Sequence, residues 1–443
     1  MDKEYVNGAV NWRGFVSAHW DIVRFRFMFR LGRGISVTKA DLQEEYGIPC
    51  LTYGEIHSRY GFEFNPETHP LRYIGFDNPA ISKSSMLFKG DFVFADTSED
   101  VDGSGNFTHL NDDAEVIAGY HTVIARPLDS TTSRFYAYLF DSNAFRAQIR
   151  SKVYGVKVFS VTQAILKEAK MPVPSKNEQQ AIVAYLDRCT AEIDRLLTDL
   201  QTQAEMLDRY KREIIAKTIT GGLESTVQTL DSGVDWIGEV PSHWAITKTK
   251  WIFEIVKRIY GKEDRDVLSI TQRGLKIRDI ESNDGQLAES YVNYQVVNVN
   301  DFAMNSMDLL TGWVDCSPFE GVTSPDYRVF RFFPNKPQCH AYYKYLFQMC
   351  YKRRIFYRLG QGVSNLGRWR LQADQFLNMK LPQPPIHEQE EIAAFLDKKT
   401  AQVDSLIADI NEQISKLKQY RQIVIHDAVT GKIKVSEGIG DGN

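Results

Sequence analysis

From Tyr327 to Ala373 the chain has ten Lys and Arg residues and no Asp or Glu. The cations are Arg328, Arg331, Lys336, Lys344, Lys352, Arg353, Arg354, Arg358, Arg368 and Arg370, and Tyr342, Tyr343, Tyr345, Tyr351, Phe356, Tyr357 and Trp369 are interleaved among them. A second acid-free run, Ser142–Lys167, carries Arg146, Arg150, Lys152, Lys157 and Lys167. Cations mixed with aromatic rings suit a phosphate backbone and its bases better than an apolar ligand. The competing reading is a solvated charged surface, but two runs at matching places in the chain favour nucleic acid. The candidate phosphate or base contacts are Arg146, Arg150, Lys152 and Lys157 in the first run. In the second they are Lys352, Arg353, Arg354, Arg358, Arg368 and Arg370. Loop polars Thr97, Ser98, Gln272, Arg273, Asn305 and Ser306 are candidates for base edges, where Arg–guanine and Asn/Gln–adenine pairs discriminate.

Other chemistry is hard to place. Gly362–Arg368 has P-loop-like spacing but ends in Arg-Trp instead of Lys-Ser/Thr, so an ATPase site is not expected. Asp77-Asn78-Pro79-Ala80 lacks the second proline and the aromatic of an amino-methyltransferase loop, and no GxGxxG accompanies it. Glu168-Ala-Lys170 has no upstream acidic partner of a nuclease motif. His19 and His243 each stand beside a tryptophan, without a metal or catalytic pattern, and are assigned to packing or capping. No catalytic set and no metal site are expected.

Composition bounds the class. A chain of 443 residues with 43% hydrophobic and 25% charged residues can form two to four globular units. The five cysteines are scattered and lack a CxxC, which fits a reducing compartment and argues against a zinc ribbon. No membrane span is expected, and MDKEYVNGAV lacks the apolar stretch of a secretion signal, so a cytoplasmic location is expected. The formal charge of −4 lends no support to DNA binding by itself; the local runs do.

The elements that must hold these residues are repeated. Residues 172–221 recur at 382–431 with a constant offset and no gap, at roughly 19 identical positions. Each copy opens with prolines, Pro172-Val-Pro174 or Pro382-Gln-Pro384-Pro385, and then runs without Gly or Pro to a Thr-Gly end. That predicts a helix of about 45 residues. Ser175 and Glu178 have capping-box spacing, whereas Pro385 removes the cap from the second copy. Leu186, Ile193, Leu200, Leu207 and Ile214 recur every seven residues, as do Leu396, Val403, Ile410, Leu417 and Val424. A stripe offset by four holds Leu197 and Ile407, completing a coiled-coil seam. The simplest partner for each helix is the other.

The remainder repeats faintly. Trp12 and Trp20 are spaced like Trp236 and Trp244, and Tyr136–Phe140 matches Tyr343–Phe347. Short β-rich runs at Phe92–Phe94, Tyr120–Ala125, Val267–Thr271 and Tyr327–Phe333 alternate with turns and helical stretches. The expected class is α+β: two mixed α/β domains, each followed by a long helix. The expected boundaries are 1–171 for the first domain, 172–222 for the first helix, 223–381 for a linker and the second domain, and 382–443 for the second helix and tail. One scaffold with two dissimilar surfaces suggests two targets.

The sequence resembles the specificity subunits of type I restriction-modification systems over nearly its whole length. The resemblance rests on Asp235–Trp244, the Pro-x-Pro…Glu-Gln helix starts, the Leu-Asp-x-x-Thr segments and the Thr-Gly ends. Phe88–Asp91, Gly119–Thr122 and Tyr291–Arg331 add to it. It implies that the domains are target recognition domains, each reading half of an asymmetric, bipartite double-stranded DNA site. It also implies an antiparallel coiled coil that sets the half-site spacing and docks two methyltransferase subunits, with two restriction subunits able to join. S-adenosylmethionine, ATP and Mg²⁺ are then expected on those partners, with no cofactor on this chain. The alternatives are a modification-only complex without nuclease, a self-sufficient DNA methyltransferase, and a coiled-coil scaffold with no nucleic-acid role.

Overall fold

The computed structural model describes residues 16–155, 157–224, 226–279, 288–361 and 369–435, and the backbone of 5–6 and 9–10. Trp12, Arg368 and the Gly362–Arg368 stretch lie outside the described residues. The chain divides into two compact units: residues 1–200 with 412–443, and residues 201–411. Two long helices, Lys176–Gly221 and Ile386–Val429, contribute to both.

In the first unit a five-stranded sheet has the order Phe29–Arg33, Thr122–Pro127, Phe92–Ala95, Phe107–Leu110, Glu63–Phe64. Only the last pairing is parallel, with His109 opposite Glu63. A second five-stranded sheet centres on Ile48–Leu51, parallel to Val116–Ala118. Phe92–Ala95 is buried on both faces, which is why it reads as an unbroken apolar run. One face meets Phe25, Phe107 and the helix Ser133–Asp141; the other meets Leu51, Ile56 and Val116. Of the four expected strand runs, Tyr120–Ala125 begins later, at Thr122. His121 adopts φ 56°, a left-handed conformation that cannot continue a strand.

The second unit is built on an antiparallel four-stranded sheet, Phe253–Val256, Arg328–Phe332, Phe302–Met304, Val314–Cys316. The helix His340–Lys352 covers it, and a hairpin, Leu268–Thr271 with Gly274–Ile277, stands beside it.

Each unit grips the long helices by the same devices. In the first, Lys170–Val173 pairs with Asp21–Arg24 just before the first long helix; in the second, Lys380–Gln383 pairs with Ala245–Lys248. Tyr138 donates its hydroxyl to Asp187 at 2.6 Å and lies 3.1 Å from the Thr190 hydroxyl. Tyr345 does the same to Asp397 at 2.7 Å and Thr400 at 3.1 Å. This accounts for the Leu-Asp-x-x-Thr segments: Asp and Thr, three apart on one helix face, receive the tyrosine, while Leu186 or Leu396 enters the core.

The helix pair is antiparallel within each unit. In the first, Ile182 and Leu186 share a core with Val424–Val429, and Asp194, further along, takes Arg421 at 3.0 Å. In the second, Ala216 and Ile219 share a core with Ile392 and Leu396, and Lys211, further back, meets Asp404 at 2.6 Å. Those two ion pairs are one another's repeat equivalents. The seam residues face inward: Leu186, Ile193, Leu396, Val403, Ile410 and Val424 are buried, and Leu197, Leu200, Leu207, Ile214, Ile407 and Leu417 are half-buried.

Candidate nucleic-acid interface

The N-termini of the long helices are clamped by the tryptophan–histidine pairs. Glu178 accepts Ser175 N at 3.0 Å and Ser175 Oγ at 2.7 Å, and Ser175 Oγ accepts Glu178 N at 3.4 Å, completing the expected capping box. The same carboxylate receives His19 Nε2 at 2.7 Å and Trp20 Nε1 at 3.0 Å. Glu388 receives His243 Nε2 at 2.6 Å and Trp244 Nε1 at 2.9 Å, so the uncapped second helix keeps this half of the device. Each tryptophan also lies where a side chain would stand on a left-handed glycine that ends the other long helix. A Cβ on Gly431 (φ 74°) would come within 3.0 Å of Trp20, and one on Gly222 (φ 77°) within 3.2 Å of Trp244.

Burial pushes the Glu178 carboxyl up, but hydrogen bonds from Ser175, His19 and Trp20 outweigh it and hold it down at about 2, below its ordinary 4.5. A depressed carboxyl stabilises the fold fully above about pH 4.5 and loses that contribution as pH falls toward 2. Glu178→Gln is expected to cost roughly 1 kcal/mol at pH 7, given partial solvent screening, and less near pH 3. Urea midpoints at the two pH values check this; equal losses at both would refute it.

With the domains so anchored, the candidate contacts fall into two roles. In the first unit Thr97–Ser98 forms a short strand against Phe159–Ser160. Arg146 donates to Asn106 Oδ1 at 2.7 Å, Asn106 Nδ2 to His57 Nδ1 at 3.0 Å, and His57 Nε2 to Thr97 O at 2.8 Å. Arg146 is also paired with Asp141 at 3.0 Å, and Arg150 donates to Asp102 O at 2.5 Å. These two arginines brace the 96–106 loop from behind. Lys152 and Lys157 are exposed, with Tyr154 86% exposed between them. Ser98 is buried, and its hydroxyl accepts Asp100 N at 3.4 Å.

In the second unit Gln272 and Arg273 occupy the hairpin tip, and Gln272 donates to Thr311 O at 3.3 Å. Lys352 Nζ lies 5.3 Å from the centre of the Trp313 ring, and Arg353 pairs with Glu213 at 3.2 Å. These four candidates line one cleft of about 850 Å³. Asn305 Oδ1 accepts Met307 N at 3.2 Å, and buried Ser306 accepts Leu371 N on its carbonyl at 3.0 Å, so both shape their loop. Arg354 (φ 57°), Arg358 and Arg370 are exposed outside that cleft lining. Sequence reasoning missed His57 and Asn106, which stand among polar residues and glycines with no local signal to set them apart.

Among the described residues, no group of three or more His, Cys, Asp or Glu could hold a metal ion. No described helix is long and apolar enough to cross a membrane.

Comparison with known proteins places this geometry. The family model of the type I restriction modification DNA specificity domain matches twice, over residues 19–206 and 244–416. The StySPI specificity subunit of Salmonella potsdam is 21% identical over 437 residues, spanning 95% of this chain and 90% of that protein. The MjaVIII specificity subunit of Methanocaldococcus jannaschii is 23% identical over 315 residues, spanning 67% and 70%. A chain from a solved type I R-M system, studied for its assembly and conformational transition, has a TM-score of 0.68 and 14% identity, covering 94% of this chain and 99% of that one. At that identity the likeness speaks to the fold.

Proposed function

Since the chain belongs to the type I restriction modification DNA specificity family, we propose that its two domains each read one half of an asymmetric, bipartite DNA site. The observation carrying this is the repeated grip on the helices, Tyr138–Asp187–Thr190 and Tyr345–Asp397–Thr400, beneath surfaces that share almost no residues. Identical mounting with different reading faces is what two unlike half-sites require. The antiparallel helices serve as the spacer and as the dock for two methyltransferase subunits, which restriction subunits can join. S-adenosylmethionine, ATP and Mg²⁺ belong to those partners, and this chain selects the target without catalysis.

Mapping N6-methyladenine in cells carrying the chain and its methyltransferase tests the reading. The expected result is a two-part motif with an unread gap. A contiguous motif, or methylation by the chain without its partner, would count against it. Within the motif, Gln272→Ala should relax one half only. A lost base contact of ~1–3 kcal/mol corresponds to roughly 5- to 150-fold weaker discrimination at that position. Competition binding with single-base variants of the site checks this, and altered discrimination in the other half would sink the assignment.

A further inference from the structure

The cleft that holds Gln272 and Arg273 has a third wall, the first long helix from Asp208 to Ile215. Three of its cations are neutralised locally, Lys211 by Asp404 at 2.6 Å, Arg212 by Asp208 at 3.3 Å and Arg353 by Glu213 at 3.2 Å. Arg209, Arg273, Lys344 and Lys352 also line it, and among the described residues no ion pair engages any of them. The one remaining carboxylate, Asp315, is taken by the backbone N–H groups of Leu275 at 3.0 Å and Cys316 at 2.9 Å. The cleft is therefore strongly cationic, though the whole chain is slightly acidic.

The first unit is built differently at the same place. There Arg421, the repeat equivalent of Lys211, binds Asp141 at 3.3 Å as well as Asp194, and Asp141 also holds Arg146. Aligning Tyr138 with Tyr345 puts uncharged Gln348 where Asp141 stands, and its amide is spent on Val314 O at 3.2 Å. Lys211 and Arg353 find other carboxylates, so the unpaired charge of the second cleft comes from Arg209, Lys344 and Lys352, whose repeat equivalents in the first unit are the uncharged Gln419, Ala137 and Phe145.

We propose that this cleft binds the phosphodiester backbone beside the second half-site, with Arg209 of the long helix contacting phosphate. The spacer helix is then itself part of the DNA interface, in the second half only. Guanidinium and ammonium groups converging from three elements match the charge of a phosphate strand, and the hairpin tip supplies base-reading groups alongside. This rests on the reading of the second unit as a DNA-binding domain.

The test uses the full chain in complex with its methyltransferase subunits and a duplex carrying the methylated motif. Each phosphate contact contributes about 0.9 to the slope of log affinity against log salt. Arg209→Ala should lower that slope by about one and weaken matched and mismatched duplexes by the same factor, leaving the motif unchanged. Arg209→Lys should restore the slope. An unchanged slope, with Gln272→Ala still relaxing its half-site, overturns the inference and leaves the domain assignment standing. An unchanged slope with loss of the methyltransferase subunit makes the wall a protein contact, which also overturns it. Failure of Gln272→Ala as well would bring down the reading beneath.

Discussion

Seven residues inserted after Leu200 and seven more after Ile414 should move the two recognised half-sites about three base pairs apart without changing their bases. The insertion points are level across the helix pair: Asp194 meets Arg421, so six residues on, Leu200, lies opposite Ser415, six residues back. A heptad keeps Leu197, Leu200 and Leu417 in the seam and the flanking ion pairs in phase. It lengthens the pair by about 10 Å at ~1.5 Å per residue, close to three base-pair steps of ~3.4 Å. On the original site only one half can then be engaged. With ~1–3 kcal/mol lost per misread base pair over several positions, affinity should fall by a factor on the order of 10² or more. Methylation mapping reads both outcomes at once. New bases in the motif, or an unchanged gap, would mean that the helices do not set the spacing.

The scaffold was legible in the sequence because it depends on local periodicity. The seven-residue seam, the Ser175–Glu178 box and the Thr-Gly ends each describe residues within a few turns of one another. The sequence also displayed Tyr138 and Asp187 as repeated residues, yet nothing in linear spacing says that positions so far apart share a hydrogen bond. Nothing near His19 in sequence marks the carboxylate it meets, Glu178, which comes from a distant helix start.

Charge was the least legible. The run Ser142–Lys167 has no acid, but Asp141 lies one residue outside it and Asp102 folds back from a distant loop, so Arg146 and Arg150 are committed to bracing. In the second run Arg353 meets Glu213 of the long helix. A segment free of acids in sequence need not be free of them in space, because pairing is decided by which elements the fold brings alongside. Lys152 and Lys157 remain exposed in the first unit.

The fold's division into two units with separate cores predicts that damage to one half-site can be confined to it. Phe140 is fully buried in the first core, 4.5 Å from Phe145, 4.9 Å from Phe92 and 5.4 Å from Phe29 between ring centres. Phe347 is its counterpart in the second, 5.3 Å from Phe253 and 5.4 Å from Phe330. Truncating either ring to alanine removes its burial and leaves a cavity that the crowded aromatic neighbours cannot close, at a cost of about 3–5 kcal/mol. That is a large share of the ~5–15 kcal/mol that holds a domain folded. Phe140→Ala should therefore lower one calorimetric transition by many degrees and spare the other, and Phe347→Ala should do the reverse. In the methylation map each variant should lose sequence preference on opposite sides of the gap. If both transitions fell together in both variants, the long helices would be coupling the units into one cooperative block. Recognition of the two half-sites would then be inseparable in stability even though the surfaces that read them are unrelated.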